Sequence, residues 1–164
     1  MLGLYENFPK NIHKITTFST SFSKKKLQQS IINTFYKLNN QTFSLEDVTK
    51  LPIYECVVIF EVGLAERNVF NYFDNEEKVR TLKSLQKTTL DVIDAFFVIR
   101  YYKKKTRLKF DYYMLRFTFN KKKIQIQVFH ERGPRHISPE EILNWITNKV
   151  NEQIGKKILS CAQV

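Results

Sequence analysis

Between Phe96 and His130, three runs rich in Val, Ile, Phe, Tyr and Thr follow one another at Phe96 to Lys103, Leu108 to Phe119 and Lys123 to His130, separated by only a few lysine-rich residues. β-branched and aromatic side chains suit a pleated, half-buried surface, and connections this short join neighbouring strands antiparallel. The spacing therefore predicts a three-stranded meander. Lys123 to His130 alternates most clearly, with Ile124, Ile126 and Val128 on one face and Gln125 and Gln127 on the other. That is the period of a strand with one dry and one wet side. Leu108 to Phe119 reads largely apolar on both faces, which suits a central strand covered on each side or the wall of a cavity.

Three further runs of the same composition, at roughly Asn11 to Ser19, Tyr54 to Val62 and Asn68 to Phe73, bring the expected strands to six. The helices announce themselves by their starts. Ser138-Pro139-Glu140-Glu141 places Ser at the cap, Pro at the first helical position and Glu at the third, with Ile137 and Ile142 as a staple. Ile142, Ile146, Val150 and Ile154 then recur every four residues, and Gly155 follows as a stop. Ser44 with Asp47 predicts a second box, opening a helix of about two turns before Pro52. Asp74 with Glu77 opens a longer one, whose Val79, Leu82, Leu85, Val92 and Phe96 share a side. The first helix is expected from Lys24 to Leu38, burying Leu27, Ile31, Phe35 and Leu38 and ending at Asn39-Asn40.

The resulting order, βααββαβββα, predicts an α+β domain with a mostly antiparallel sheet and helices packed on it. The arrangement of such a sheet with a long terminal helix across it, and two helices after the first strand, resembles the helix-grip fold of START and Bet v1-like domains. That resemblance implies a cavity between sheet and terminal helix that admits a small apolar or aromatic ligand. It carries no binding residue with it.

A chain of 164 residues with 23 aromatic side chains can bury a full core and suits one domain, residues 1–164, with 158–164 read as a flexible tail. The longest apolar runs, Cys56 to Phe60 and Ala95 to Ile99, fall far short of the roughly 18 residues a membrane helix needs. The first ten residues lack the basic start and apolar stretch of a secretory signal. Two cysteines are too few for a disulfide framework, so Cys56 and Cys161 are expected as free thiols in a cytoplasmic protein.

Charge is the second constraint. Twelve Lys and Arg against two acids, Asp111 and Glu131, lie between Arg100 and His136, so this stretch carries +10 of the chain's formal +11. A concentrated positive field attracts polyanions, whereas scattered lysines mainly keep a protein soluble. Lys103, Lys104, Lys105 and Arg107 sit at one expected turn and Lys121, Lys122 and Lys123 at the next. The strand between them has about a dozen residues at roughly 3.4 Å each, which separates the clusters by ~35 to 40 Å. They form no single pocket, but with Arg100, Lys109 or Arg116 between them they suit an extended phosphate chain. Lysine-tipped turns also serve to keep a meander from aggregating.

Tyr101, Tyr102, Phe110, Tyr112, Tyr113, Phe117 and Phe119 interleave with this charge; exposed, such rings stack bases, and buried, they fill a core. Arg132 and Arg135 flank the Gly133-Pro134 turn and suit two-pronged anion contacts, although ion pairs to Glu131, Glu140 or Glu141 are the simpler expectation. His130, Glu131 and His136 match no metal-ligand spacing. The pair of strands bearing Asp111 and Gln125-Ile126-Gln127 lacks the acid and lysine of the PD-(D/E)XK nucleases, and no nucleophile motif or Gly-rich phosphate loop occurs among four dispersed glycines. The chain therefore reads as a non-catalytic basic domain without cofactor or metal. Its expected partner is RNA, single-stranded DNA or a nucleic-acid-containing assembly, held by Arg100, Lys103, Lys104, Lys105, Arg107, Lys109, Lys121, Lys122, Lys123, Arg132 and Arg135. The alternatives are a helix-grip module for an apolar ligand and a structural subunit that contacts another protein.

Overall fold

The computed structural model describes residues 3–49, 55–66, 68–103, 106–155 and 159–161, with the backbone alone at 3–4, 106–108 and 161. The six expected strands are present as β2 (Lys14–Thr20), β4 (Cys56–Glu66), β5 (Val69–Tyr72), β6 (Val92–Lys103), β7 (Thr106–Asn120) and β8 (Lys123–Arg132). Short strands β1 (Gly3–Leu4), β3 (Thr42–Ser44) and β9 (Leu159–Cys161) extend the sheet at its margins. All pair antiparallel, in the order β1-β5-β4-β6-β7-β8-β2-β9, with β3 also against β4. The fold is α+β, and the expected meander forms its centre. Residues 159–161, read from sequence as tail, pair with β2 and bury Leu159; positions 158 and 162–164 lie outside the described residues.

Helix α1 (Lys24–Leu38) runs between the expected ends, with the Ser23 hydroxyl accepting from the Lys26 N–H and Asn40 at φ +62° just past its close. Its Leu27, Ile31, Phe35 and Leu38 are buried. Helix α4 (Pro139–Ile154) carries the complete capping box between Ser138 and Glu141 and ends on Gly155 at φ +79°. That left-handed geometry is one glycine adopts without a Cβ clash.

Two helices differ from expectation. Helix α2 (Leu45–Val48) is a single turn whose Ser44 makes no side-chain cap bond, because Ser44 also ends β3 opposite Val57. Helix α3 (Asn75–Lys87) begins at the expected Asp74 cap but buries only Leu85, and Val79 is exposed. Val92 and Phe96 belong to β6 instead. The buried Gln28 explains where the chain turns: its side-chain amide accepts from the Leu90 N–H at 3.0 Å and donates to the Leu90 carbonyl at 2.6 Å. Pairing of Val92 with Thr118 then draws the chain into the sheet, a tertiary contact overriding a helix-like local pattern.

The main core lies between one sheet face and helices α1 and α4. Phe35 packs edge-on against Phe97 and Phe117 with ring centroids 5.4 and 5.5 Å apart, and Trp145 stacks on Phe60 at 6.1 Å. Each such fully buried ring contributes roughly 2 to 3 kcal/mol through the apolar surface it removes from water. These rings occupy the space between sheet and terminal helix, where the helix-grip resemblance implies a ligand cavity.

Candidate functional site

The sheet face opposite the helices presents two different surfaces. Over β5, β6, β7 and β8, residues 5–13 lie across it. Tyr5, Phe8, Phe70 and Met114 form a small second core there, joined by Ile12, Phe96 and Phe129. Arg116 clamps this segment: its Nε and Nη2 donate to Asp94 at 2.8 and 2.9 Å, Nη2 reaches the Tyr5 hydroxyl at 3.2 Å, and its guanidinium lies over the Phe8 ring. Tyr5 also donates a short bond to Asp94; burial and that carboxylate push its phenol up to about 12. At the other end, the His13 ring stacks on Phe129 at 4.8 Å and its Nδ1 accepts from the His130 N–H at 2.9 Å. Arg116, expected as a possible phosphate contact, is thus committed to holding residues 5–13.

Beyond that segment the same face carries Arg100, Tyr102, Phe110, Tyr112 and Arg132. Register places them together: Arg100 pairs with Phe110 and Ile59, Tyr102 with Val57, and Tyr112 with both Val98 and Arg132, and residues paired across neighbouring strands share a face. A bulge decides the position of Arg132. Tyr113 pairs with His130 but Tyr112 pairs with Arg132, so one residue, Glu131, is left over. The extra residue shifts the alternation. His130 turns to the helix side, and Arg132 turns outward to lay its guanidinium 4.9 Å from the Tyr112 ring centroid. Arg100 lies 2.7 Å from Oε2 of the buried Glu61, yet that oxygen has no partner in hydrogen-bond geometry. The ion pair holds Arg100 in place and offsets part of its charge. The aromatic run accordingly divides by face: Tyr101, Tyr113, Phe117 and Phe119 are buried on the helix side, while Tyr102, Phe110 and Tyr112 are half-buried on the outer side.

The other cationic residues are distributed more widely. Lys103 pairs with Cys56, whose side chain is buried on the helix side, so its register is that of the opposite face. Lys109 is exposed within the irregular pairing that follows Arg100. Arg107 pairs its backbone with Tyr102; its side chain, and all of Lys104 and Lys105, lie outside the description. Lys121, Lys122 and Lys123 are exposed at the far turn, bordering a shallow pocket of about 240 Å³ with Lys24 and with Phe22 and Phe119 among its walls. Lys123, two residues before the outward Gln125, continues the outer face. β7 is 15 residues long, which sets the two turns about 45 to 50 Å apart, farther than the sequence spacing suggested.

The loop bearing Arg132 and Arg135 is fixed by a group that sequence reading assigned no role. Asp111 is fully buried and accepts four bonds: from the Tyr101 hydroxyl at 2.5 Å, from His130 Nε2 at 2.8 Å, and from the backbone N–H groups of Arg135 and His136 at 2.6 and 3.0 Å. Burial first, and then the bond to Asp111, hold the Tyr101 phenol far above its ordinary range, so it remains a donor. Gly133 approaches this hub at φ +114°, where an added Cβ would lie 2.3 Å from the Phe110 carbonyl oxygen and 2.5 Å from Asp111 Oδ1. Tyr113 closes the far side by donating to the Ile137 carbonyl, one residue before the α4 cap. The loop is therefore pinned from both flanks while Arg132 and Arg135 stay exposed. Among the described residues neither guanidinium has a carboxylate within salt-bridge distance, in contrast to the expected ion pairs. Glu141 instead serves the Ser138 N–H and the Thr49 hydroxyl.

His130 and His136 are likewise engaged, the first by Asp111 and the second edge-on to Tyr101 at 4.9 Å, while Glu131 is exposed at the bulge. No described helix is long and apolar enough to cross a membrane. In comparison with known proteins, no family model, no curated protein and no solved structure matches this chain.

Proposed function

We propose that this chain is a non-catalytic, basic domain that binds RNA or single-stranded DNA along the outer face of the β6–β8 meander. The observation that carries the reading is the convergence of Arg100 and Arg132 on one surface, with Lys123 farther along it and Arg135 on the adjoining pinned loop. Lys121 and Lys122, exposed at the far turn, extend the positive field beyond that end. Arginine presents a planar fork suited to phosphate oxygens, and a loop fixed before binding loses little freedom when it binds. The rings on the other sheet face pack against α1 and α4, which favours a surface site over the enclosed apolar cavity of the helix-grip alternative.

The test is a fluorescence titration of a short single-stranded RNA and DNA against the full chain at two salt concentrations. Phosphate contacts release counterions, so log affinity falls with log salt by about 0.7 per contact for a single strand. Wild type should bind in a salt-sensitive manner. Replacing Arg100, Arg132 and Arg135 together by Ala should lower both affinity and slope, the slope by about 2. Equal affinity and slope in the triple variant would remove this face from the interaction.

A further inference from the structure

We infer that the outer face selects unpaired bases, stacking about two of them on Tyr102 and the Tyr112–Arg132 pair; this rests on the nucleic-acid reading above and specifies its ligand. The geometry is a run of rings on β5, β6 and β7, with β4 between the first two. Phe70 stacks on Phe96 at 5.2 Å, Phe96 on Tyr112 at 5.7 Å, each with an interplanar angle of 29°, and Phe110 meets Tyr112 edge-on at 5.7 Å. Residues 5–13 cover the Phe70 and Phe96 end, Tyr5 lying edge-on to Phe70 at 4.7 Å. The end beyond this segment is the one that holds the two arginines.

The occupant follows from charge and spacing together. A purely apolar partner has no use for guanidinium groups set among the rings, and a simple polyanion has no use for the rings. A single strand offers flat apolar bases and phosphates in alternation, matching both. Tyr112 and Arg132 lie one strand gap of about 4.8 Å apart, whereas Tyr102 lies four residues, about 13 Å, along β6 from Val98, the β6 partner of Tyr112, so the two places accommodate one base each with a stretch of strand between them. A base can stack on a tyrosine ring or on an arginine plane. A duplex keeps its base faces covered, so it gains only the phosphate contacts.

The experiment compares a labelled oligothymidylate with an inorganic polyphosphate chain of similar charge, using full-length wild type, the double variant Tyr102→Leu with Tyr112→Leu, and Tyr112→Phe. Each base stacked on an aromatic side chain is worth about a tenfold change in affinity. The double leucine variant should bind the oligonucleotide ~10- to 100-fold more weakly and polyphosphate as before, while Tyr112→Phe keeps wild-type affinity for both. Wild type should also prefer the single strand to its duplex. If polyphosphate and oligonucleotide bind alike and the leucine variant changes neither, stacking is wrong although the polyanion reading stands. If wild type binds neither ligand, both readings fall. A melting curve matching wild type establishes that the leucine variant is folded; should it not fold, Tyr102→Leu alone, at the edge of the ring run, gives the same comparison.

Discussion

At the scale of single residues, the most consequential side chain is an acid inside a basic stretch. Asp111 satisfies four donors from three parts of the chain, β6, β8 and the loop before α4. Its removal leaves two backbone N–H groups, a phenol and an imidazole without their acceptor in a dry site. Asp111→Ala should therefore cost about 3 to 5 kcal/mol in urea unfolding, whereas Tyr101→Phe, which removes one donor and leaves the rest, should cost about 1 kcal/mol. Hydrogen exchange in the Asp111 variant should rise first at residues 133–137. A loss below about 1 kcal/mol for Asp111→Ala would show that the hub contributes little. In the sequence this residue stands out only as an acid within a run of rings, because its donors arrive from 10 to 25 positions away. The outward turn of Arg132 was equally hidden. Strict alternation would put it on the same face as Ile124, Ile126 and Val128, and only the extra residue at the bulge reverses that.

At the scale of elements, the segment 5–13 behaves as a strap clamped by Arg116 at one end and by His13 at the other. His13 Nδ1 accepts the His130 N–H, a role open only to the neutral ring. Partial desolvation of this exposed ring, then the positive charge of Arg135 and the neighbouring His130, lower the His13 pKa from its ordinary 6.5. Because the folded value lies below the unfolded one, the contribution of the His13 contact is fully present above about pH 6.5 and is lost as pH falls through the lowered folded value. Hydrogen exchange across residues 5–13 should accelerate between neutral pH and pH 5 after correction for intrinsic rates. In His13→Phe, which keeps the stack on Phe129 but cannot titrate, the corrected rates should be flat. An equal acceleration in both proteins would assign the effect to another group. Elements whose signals are local were legible from the chain alone: the capping box at Ser138, the Gly155 stop and the alternation of β8 all recur in the structure. The short α2 and the early end of α3 were not. Ser44 is drawn into a strand and Leu90 is held by Gln28, contacts made across 13 and 62 residues that no local pattern records.

At the scale of the whole molecule, the sheet separates two tasks. One face builds the core with α1 and α4, and the other is partly closed by residues 5–13 and partly left to arginines and rings. The concentration of +10 between residues 100 and 136 was visible in sequence, but its distribution was not. Lys103 falls in the register of the helix side, Arg116 is paired with Asp94 and Arg100 with Glu61, and the arginines at 100 and 132 share the outer surface. The proposed binding surface is thus the outer face of β6–β8, between the strap and the 133–136 loop. Photocrosslinking with a short single-stranded RNA carrying 5-iodouridine, read by peptide mass spectrometry, tests this most directly. The predicted crosslinks fall on Tyr102 and Tyr112 and disappear at high salt. Crosslinks concentrated on α1 or α3, with these two rings untouched, would contradict it.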